Sequence, residues 1–191
     1  MVIALLLAAS EPIDLVPGPT PDCAYDVDAM LTLDRDGFDQ DMDGGWRRLG
    51  AKGGCEIAAA ELIREWRHEK RDHTAILYWH EGQMRAFGGQ IEEAVALFGR
   101  TYKAPDLDAD FGWNHYVSGS IAFLNRDRER LRRSIEDLKA IPESDDTSFT
   151  MPDGTVIELE WPPNLSVLEA FERCWEKSYA EAYSSAECRN P

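Results

Sequence analysis

The first pattern that could support chemistry is a run of carboxylates at alternate positions followed by a glycine. Its members are Asp39, Asp41, Asp43 and Gly44. The same spacing opens the calcium loop of an EF-hand, in which alternate oxygens bind the ion and the glycine allows a sharp turn. The bidentate acid needed at the twelfth position is replaced by Gly50, and Arg47 and Arg48 add positive charge. We interpret these acids as caps of the following helix within a solvated loop, with a weak calcium site as the alternative.

A second pattern places polar side chains where an apolar core is expected. In a helix predicted over residues 75–87, His80 and Gln83 share one stripe with Ile76 and Phe87. Buried polar groups need hydrogen-bonding partners, and Tyr116 is one candidate in addition to the residues below. We expect a structural network that ties the N-terminal segment to the helices, and the alternative is a ligand pocket. The proposed members of the network or pocket are Asp39, Gln40, Trp46, Trp79, His80, Gln83 and Asn114.

No catalytic pattern accompanies these residues. The chain contains no His-Glu-x-x-His, Gly-x-Ser-x-Gly or phosphate-loop motif. His68 and His73 are five residues apart and therefore off one helical face, whereas His80 and His115 stand alone. We predict a protein without catalytic residues and without a cofactor other than the calcium considered above.

The four cysteines are Cys23, Cys55, Cys174 and Cys188. An even number permits three pairings in an oxidising compartment. None has the two-residue spacing of a zinc knuckle or of a thioredoxin-type site. We favour one disulfide between Cys174 and Cys188 and another between Cys23 and Cys55, and four reduced thiols remain the alternative.

The charge balance excludes several classes of partner. The 191 residues contain 20 Lys plus Arg and 36 Asp plus Glu, which gives a net charge of −16. Such a surface repels nucleic acid and anionic lipid. The acids are concentrated in residues 11–43, where the only basic residue is Arg35. We interpret that segment as solvated surface, with a docking face for a cationic partner as the alternative.

The N-terminus resembles an export signal. Residues 1–10 form an apolar run that ends in small residues and is too short to span a bilayer, so no membrane insertion is expected. No Lys or Arg precedes it. Four prolines between residues 11 and 21 indicate an extended tether. We expect a periplasmic or secreted protein, and the alternative is a buried N-terminal element in a cytoplasmic protein.

The middle of the chain is periodic in the manner of packed helices. Apolar stripes at helical spacing occupy residues 59–66, 91–102, 113–124 and 131–138. Equivalent positions recur, because Ala59 is followed by Ala94 after 35 residues and Gly82 by Gly119 after 37 residues. The offsets among Gly82, Gly89, Ala94 and Phe98 are those of a tetratricopeptide repeat, whose period is about 34 residues.

The chain therefore resembles tetratricopeptide-like proteins. It resembles more closely a bacterial group without an established activity, through the landmarks Phe38-Asp39-Gln40, Gly45-Trp46-Arg47, Tyr78-Trp79-His80-Glu81-Gly82-Gln83 and Trp113-Asn114. The resemblance covers roughly residues 30–185. It departs from a regular repeat at Glu81 and Arg85, where apolar or aromatic residues are usual. It implies stacked helical hairpins and carries no activity with it.

The pattern changes after residue 140. Asp153-Gly154 between two short β-prone runs predicts a hairpin near residues 149–160. Pro162-Pro163 ends the strand, and Asn164 is a plausible N-cap of a last helix that covers the open end of the stack. We predict an all-α fold of three degenerate tetratricopeptide-like hairpins with a small β-hairpin and a C-terminal capping helix. The domain boundaries are 1–21 for the signal-like segment and tether, 22–142 for the repeats and 143–191 for the remainder.

These observations favour a binding function. Helical repeats present extended surface, and no nucleophile is paired with a base. We predict a non-enzymatic module that binds a protein or peptide, in its specific version an acidic antagonist of a basic protein. The alternative is a small-ligand or calcium-binding protein that uses the pocket at His80 and Gln83 or the loop from Asp39 to Asp43.

Overall fold

A computed structural model describes residues 22–143, 147–150, 154–158 and 160–190. The predicted signal-like segment and tether, residues 1–21, lie outside the described residues, as does Asp153 of the predicted turn. The described part is mostly helical, as predicted for an all-α protein. No helix in these ranges is long and apolar enough to cross a membrane.

The helices follow one another with short connections. In chain order they are α1 Val27–Thr32, α2 Gly45–Gly50, α3 Glu56–Glu69, α4 Ala75–Phe87, α5 Ile91–Phe98, α6 Trp113–Leu124, α7 Arg128–Lys139, α8 Leu165–Arg173, α9 Tyr179–Ser184 and α10 Ala186–Arg189. A π-helical turn, Asp36–Gln40, lies between α1 and α2, and two 3₁₀ turns, Gly99–Thr101 and Pro105–Leu107, lie between α5 and α6. Strands β1 Ser148–Thr150 and β2 Val156–Glu158 pair antiparallel in the region of the predicted hairpin.

Successive helices pack in pairs because each has one apolar stripe to bury. Helix α2 lies against α3, α4 against α5, and α6 against α7, and α3 also packs against α4. Gly82 allows α4 and α5 to approach closely, since a Cβ at that position would lie 2.8 Å from the Phe98 ring. Helices that are adjacent in sequence thus pack against each other in the described part of the chain.

The described residues bury two apolar clusters. One contains the N-terminal π-helical turn together with α2, α3 and part of α4, and its centre is Phe38 stacked on Trp66 with ring centroids 4.5 Å apart. The other extends from α4 to α10. In it, Phe171 of α8 stacks on Phe123 of α6 at 4.5 Å. Helix α8 thus covers α6 and α7, and two short helices that the sequence did not predict, α9 and α10, follow it.

Both disulfides connect the cysteines that were predicted to pair. Cys23 is bonded to Cys55 and joins the segment before α1 to the start of α3. Cys174 is bonded to Cys188 and joins the end of α8 to α10. The alternative of four reduced thiols is therefore not the state of this structure.

Candidate functional site

The polar centre of the molecule forms where the π-helical turn, α2 and α4 meet. Phe38 is buried in the N-terminal core, and the next residue, Asp39, is buried as well. Gly45 has a φ of +49° at the start of α2, and a Cβ there would lie 1.9 Å from the Phe38 carbonyl oxygen. Only glycine lets α2 begin against the turn in this way, which places Trp46 beside Asp39.

Asp39 is the hub of this centre. Its side chain is completely buried and accepts three side-chain hydrogen bonds. Trp46 Nε1 and His80 Nδ1 donate to Oδ1 at 2.9 Å and 2.6 Å, and Gln40 Nε2 donates to Oδ2 at 2.6 Å. Because a carboxylate only accepts, the proton on this bond belongs to His80 Nδ1. The arrangement satisfies a buried charge that would otherwise be costly.

The direction of the pKa shift of Asp39 agrees with this geometry. Burial by itself raises the pKa of Asp39, but the hydrogen bonds from His80 and Trp46 and the positive charges of His80 and Arg47 outweigh it and lower the pKa below its usual value. Burial also lowers the pKa of the Arg47 guanidinium, which lies 4.3 Å from the centre of the Trp46 ring.

A group of tyrosines continues the polar centre towards the C-terminal helices. Tyr179 and Tyr183 of α9 stack with centroids 5.8 Å apart, and Tyr179 lies beside Gln83. Burial raises the pKa of Tyr116 and of Tyr179 well above the usual value. The Tyr179 hydroxyl and Arg47 Nε are buried and make no hydrogen bond of ordinary geometry in the described part of the chain.

Five of the seven predicted site residues lie in or beside this centre, and two do not. The first group is Asp39, Gln40, Trp46, His80 and Gln83. Trp79 belongs instead to the apolar core, where it stacks on Phe98 at 4.1 Å. Asn114 bridges the backbone of Lys103, whose N–H and carbonyl bond its side chain at 2.9 Å each. The structure therefore does not bring Trp79 of α4 or Asn114 of α6 to the Asp39 centre.

The acidic loop does not form a calcium site in the described residues. The oxygens of Asp39 are occupied by the donors named above, whereas Asp41 accepts a bond from the Asp43 backbone N–H at 2.9 Å and Asp43 is exposed. No group of three metal-ligating side chains is assembled in the described ranges. The predicted capping role is corrected as well, because Gly44 is the N-cap of α2 and no side chain caps this helix.

The Asp39–His80 pair has no nucleophile to activate in the described residues. No hydroxyl or thiol is hydrogen-bonded to His80, and all four cysteines are in disulfides. An aspartate that orients a histidine is half of an acid–base arrangement. The pair joins the N-terminal segment to α4 across 41 residues of sequence.

Further contacts hold the same segment against α3 and the loop that follows it. Arg35 forms a salt bridge with Asp72 at 3.2 Å, and Trp66 Nε1 donates to the Leu33 carbonyl oxygen at 3.2 Å. Together with the Cys23–Cys55 disulfide and the Phe38–Trp66 stack, these contacts form a set that we call the N-terminal clamp. The clamp fixes the most acidic stretch of the described chain on the body of the molecule.

Sequence reasoning missed three members of the centre. The sequence places Arg47 in the Gly45-Trp46-Arg47 landmark without giving it a role in this centre, and Tyr179 and Tyr183 lie between the predicted disulfide partners Cys174 and Cys188. Their i, i+4 spacing was the available signal for a helical face. The contact between this face and α4 could not be predicted from the order of the hairpins, because α9 is far from α4 in sequence.

Comparison with protein-family models, with curated proteins and with solved structures found no match for this chain. Its function must therefore be argued from its own residues.

Proposed function

We propose that the protein is a non-enzymatic binding module of tetratricopeptide-like helical hairpins that recognises a basic protein through its acidic N-terminal segment. The observation that supports this is the N-terminal clamp. An acidic stretch that serves only solubility needs no fixed geometry, whereas this one is attached by a disulfide, a salt bridge, a ring stack and the Asp39 centre. Carboxylates in fixed positions give electrostatic complementarity and register to a cationic partner.

The charge of the segment is strongly one-sided. Residues 22–43 contain eight aspartates and one basic residue, Arg35, whose charge is paired with Asp72. Seven of the aspartates are exposed, and these are Asp22, Asp26, Asp28, Asp34, Asp36, Asp41 and Asp43. By contrast, residues 126–139 around α7 contain six basic and four acidic residues, and several of these form ion pairs with neighbours. A basic partner is therefore attracted to this segment more strongly than to α7.

An apolar side chain stands within the acidic surface. Met42 is 64% exposed between Asp41 and Asp43. Methionine is enriched at protein interfaces, where it adapts to the shape of a partner. A flexible apolar contact surrounded by carboxylates suits a cationic surface with an apolar centre. The specific version of the proposal is an antagonist that covers such a surface on a basic toxin or enzyme.

The two disulfides support a location outside the reducing cytoplasm. Disulfides persist in secreted and periplasmic proteins and are rare in the cytosol. We include export in the proposal, as the apolar N-terminus suggests. Mass spectrometry of the native protein tests it, since an intact Met1 and four free thiols would contradict export.

The test of the binding function compares two variants with the same change in net charge. In the first, Asp28, Asp36 and Asp43 are replaced by Asn. In the matched control, Glu129 and Glu136 become Gln and Asp137 becomes Asn on α7, where all three are exposed. Affinity capture from the source organism, with crosslinking, should retain a basic protein on the wild type and on the control and lose it on the first variant. Equal capture by all three would contradict the proposal.

A small-ligand function at the Asp39 centre is the second candidate. It is favoured by two buried groups of this centre, Arg47 Nε and the Tyr179 hydroxyl, that make no hydrogen bond of ordinary geometry within the described residues, because such groups cost free energy unless a ligand or water satisfies them. Thermal melts of Gln83→Ala separate the candidates. An unchanged melting temperature favours an open, solvated site, whereas a marked fall favours the structural network.

A further inference from the structure

A cleft lies on another face of the molecule, away from the Asp39 centre. It is bounded by α3, α4 and the end of α5, and its volume is about 540 Å³. Ligand sites typically have volumes of about 300–1,000 Å³. Its charged lining consists of four arginines and three glutamates, so its formal charge is +1. The lining of this cleft is therefore positive in a protein whose net charge is −16.

The floor of the cleft is built from buried charges. Arg67, Glu81 and Arg85 are 3%, 2% and 7% exposed. Arg67 donates from Nε and Nη2 to Glu81 Oε2 at 3.1 Å and 2.5 Å, and Arg85 donates from Nε and Nη2 to Oε1 at 3.2 Å and 3.0 Å. One buried carboxylate thus lies between two buried guanidinium groups, and the pairing holds both arginines in fixed positions.

The two arginines differ in how fully acidic partners compensate their positive charges. Arg85 has an additional acidic partner, Glu61, at 2.9 Å, whose side chain is 40% exposed. Arg67 has no second acidic partner in the described residues, and its Nη1 is bonded to His73 Nδ1 at 3.1 Å. An arginine only donates, so His73 Nδ1 is the acceptor and carries no proton on that nitrogen. Arg67 shares its single carboxylate with Arg85 and therefore retains unneutralised positive charge.

A further cation contacts the Tyr78 ring, which Arg67 contacts as well. Arg100 is exposed at the end of α5, and its guanidinium carbon lies 5.3 Å from the centre of the Tyr78 ring, while that of Arg67 lies at 4.0 Å. Arg100 donates to the Tyr78 hydroxyl at 3.4 Å and has no carboxylate within ion-pair distance in the described ranges. Two guanidinium groups thus gather around one aromatic ring, next to the apolar side chain of Leu97.

We propose that this cleft binds a small organic anion whose carboxylate or phosphate group lies between Arg67 and Arg100 and whose flat apolar part lies against Tyr78 and Leu97. Guanidinium groups bind planar and tetrahedral oxyanions through paired hydrogen bonds, and they stack on aromatic rings. A polyanion such as nucleic acid is repelled by the acidic remainder of the molecule, so the ligand is small. This site is independent of the acidic surface assigned to the partner above.

The test uses phenyl phosphate and benzoate as probes and benzamide as the uncharged control. The wild-type protein is titrated with each, and backbone amide resonances of α3, α4 and α5 are followed by NMR. We expect saturable shifts with a dissociation constant of about 1 mM or tighter for at least one anion and none for benzamide. The ratio of the two anion affinities distinguishes a phosphate ligand from a carboxylate ligand.

Two single variants localise the site. Arg100→Gln removes the exposed cation without breaking an ion pair, and we expect it to weaken anion binding about tenfold or more. Arg130→Gln is the matched control, because Arg130 is also exposed and also donates to a tyrosine hydroxyl, that of Tyr102, at 3.4 Å, but lies on α7 outside the cleft. It should leave the affinity unchanged. Absence of saturable shifts for both anions, equal binding of benzamide, or an equal loss in both variants would overturn the proposal.

Discussion

At the scale of single residues, Asp39 decides how the N-terminal segment is attached. From the sequence, this carboxylate was a candidate for calcium binding or for a structural network. In the structure, its oxygens accept hydrogen bonds from Gln40, Trp46 and His80. The network could be anticipated because polar residues on an apolar stripe require partners. The absence of Asn114 from this network could not be anticipated. It results from the hydrogen bonds of Asn114 to the loop at Lys103, and no periodic pattern in the sequence predicts the path of that loop.

We predict that His80→Ala lowers the free energy of unfolding by about 1–3 kcal/mol, because it removes a donor from the buried Asp39 carboxylate. Urea unfolding at neutral pH measures this difference. His115→Ala is the control, since His115 is partly exposed and lies 3.7 Å from an exposed carboxylate, and it should cost no more than about 0.5 kcal/mol. If the two variants are equally stable, the Asp39 centre is not a structural network.

The lowered pKa of Asp39 predicts a pH dependence of known sign. A carboxyl with a lower pKa in the folded state than in the unfolded state stabilises the fold above the unfolded value, about 3.9, and loses that effect as the pH falls through the folded value. The stability advantage of the wild type over Asp39→Asn should therefore shrink as the pH falls below about 4. Unfolding curves of both proteins at several pH values measure it, and an advantage that grows on acidification would contradict the assignment.

At the scale of elements, the fold depends on close crossings between consecutive helices. Where apolar residues recur at helical spacing, as in residues 91–98 and 113–124, the sequence was sufficient to predict a helix. Helices α9 and α10 were missed because they have six and four residues, too few for a periodic signal. They are stabilised instead by tertiary packing and by the Cys174–Cys188 bond.

The crossing of α4 and α5 can be tested with two glycine variants. Gly82→Ala places a methyl group 2.8 Å from the ring of Phe98, which is itself confined by Trp79, so we expect a loss of about 1–3 kcal/mol in stability. Gly99→Ala is the control, because its backbone is helical and no atom lies within 4 Å of the new methyl group. It should be neutral or slightly stabilising. Thermal melts that rank the two in the opposite order would refute the packing of α4 on α5.

The disulfides should differ in their contributions to stability. The separation of 32 residues between Cys23 and Cys55 predicts about 4 kcal/mol from chain entropy, against about 3 kcal/mol for the 14 residues between Cys174 and Cys188. Replacing Cys23 and Cys55 by Ser should therefore lower the melting temperature more than replacing the other pair. It should also increase amide hydrogen exchange selectively in α1. Uniform exchange throughout the molecule would indicate that the bond does not secure this segment.

At the scale of the whole molecule, the acidic side chains and the arginines are concentrated in different parts of the surface. The acidic segment before α2 is held on one side by the N-terminal clamp, the arginine cleft lies between α3, α4 and α5, and α7 carries mixed, paired charges. The sequence revealed the acidic bias but not its fixed geometry. That geometry depends on Phe38, Trp66 and the cysteines meeting across long stretches of chain.

The central claim, recognition of a basic partner by the fixed acidic surface, is tested most directly by the salt dependence of the affinity for the captured partner. The dissociation constant is measured by calorimetry between about 50 and 500 mM NaCl for the wild type and for the variant with Asp28, Asp36 and Asp43 replaced by Asn. We predict that added salt weakens wild-type binding about tenfold or more and that the variant binds more weakly with a shallower salt dependence. An affinity that salt does not change, or an identical dependence in the two proteins, would contradict the account.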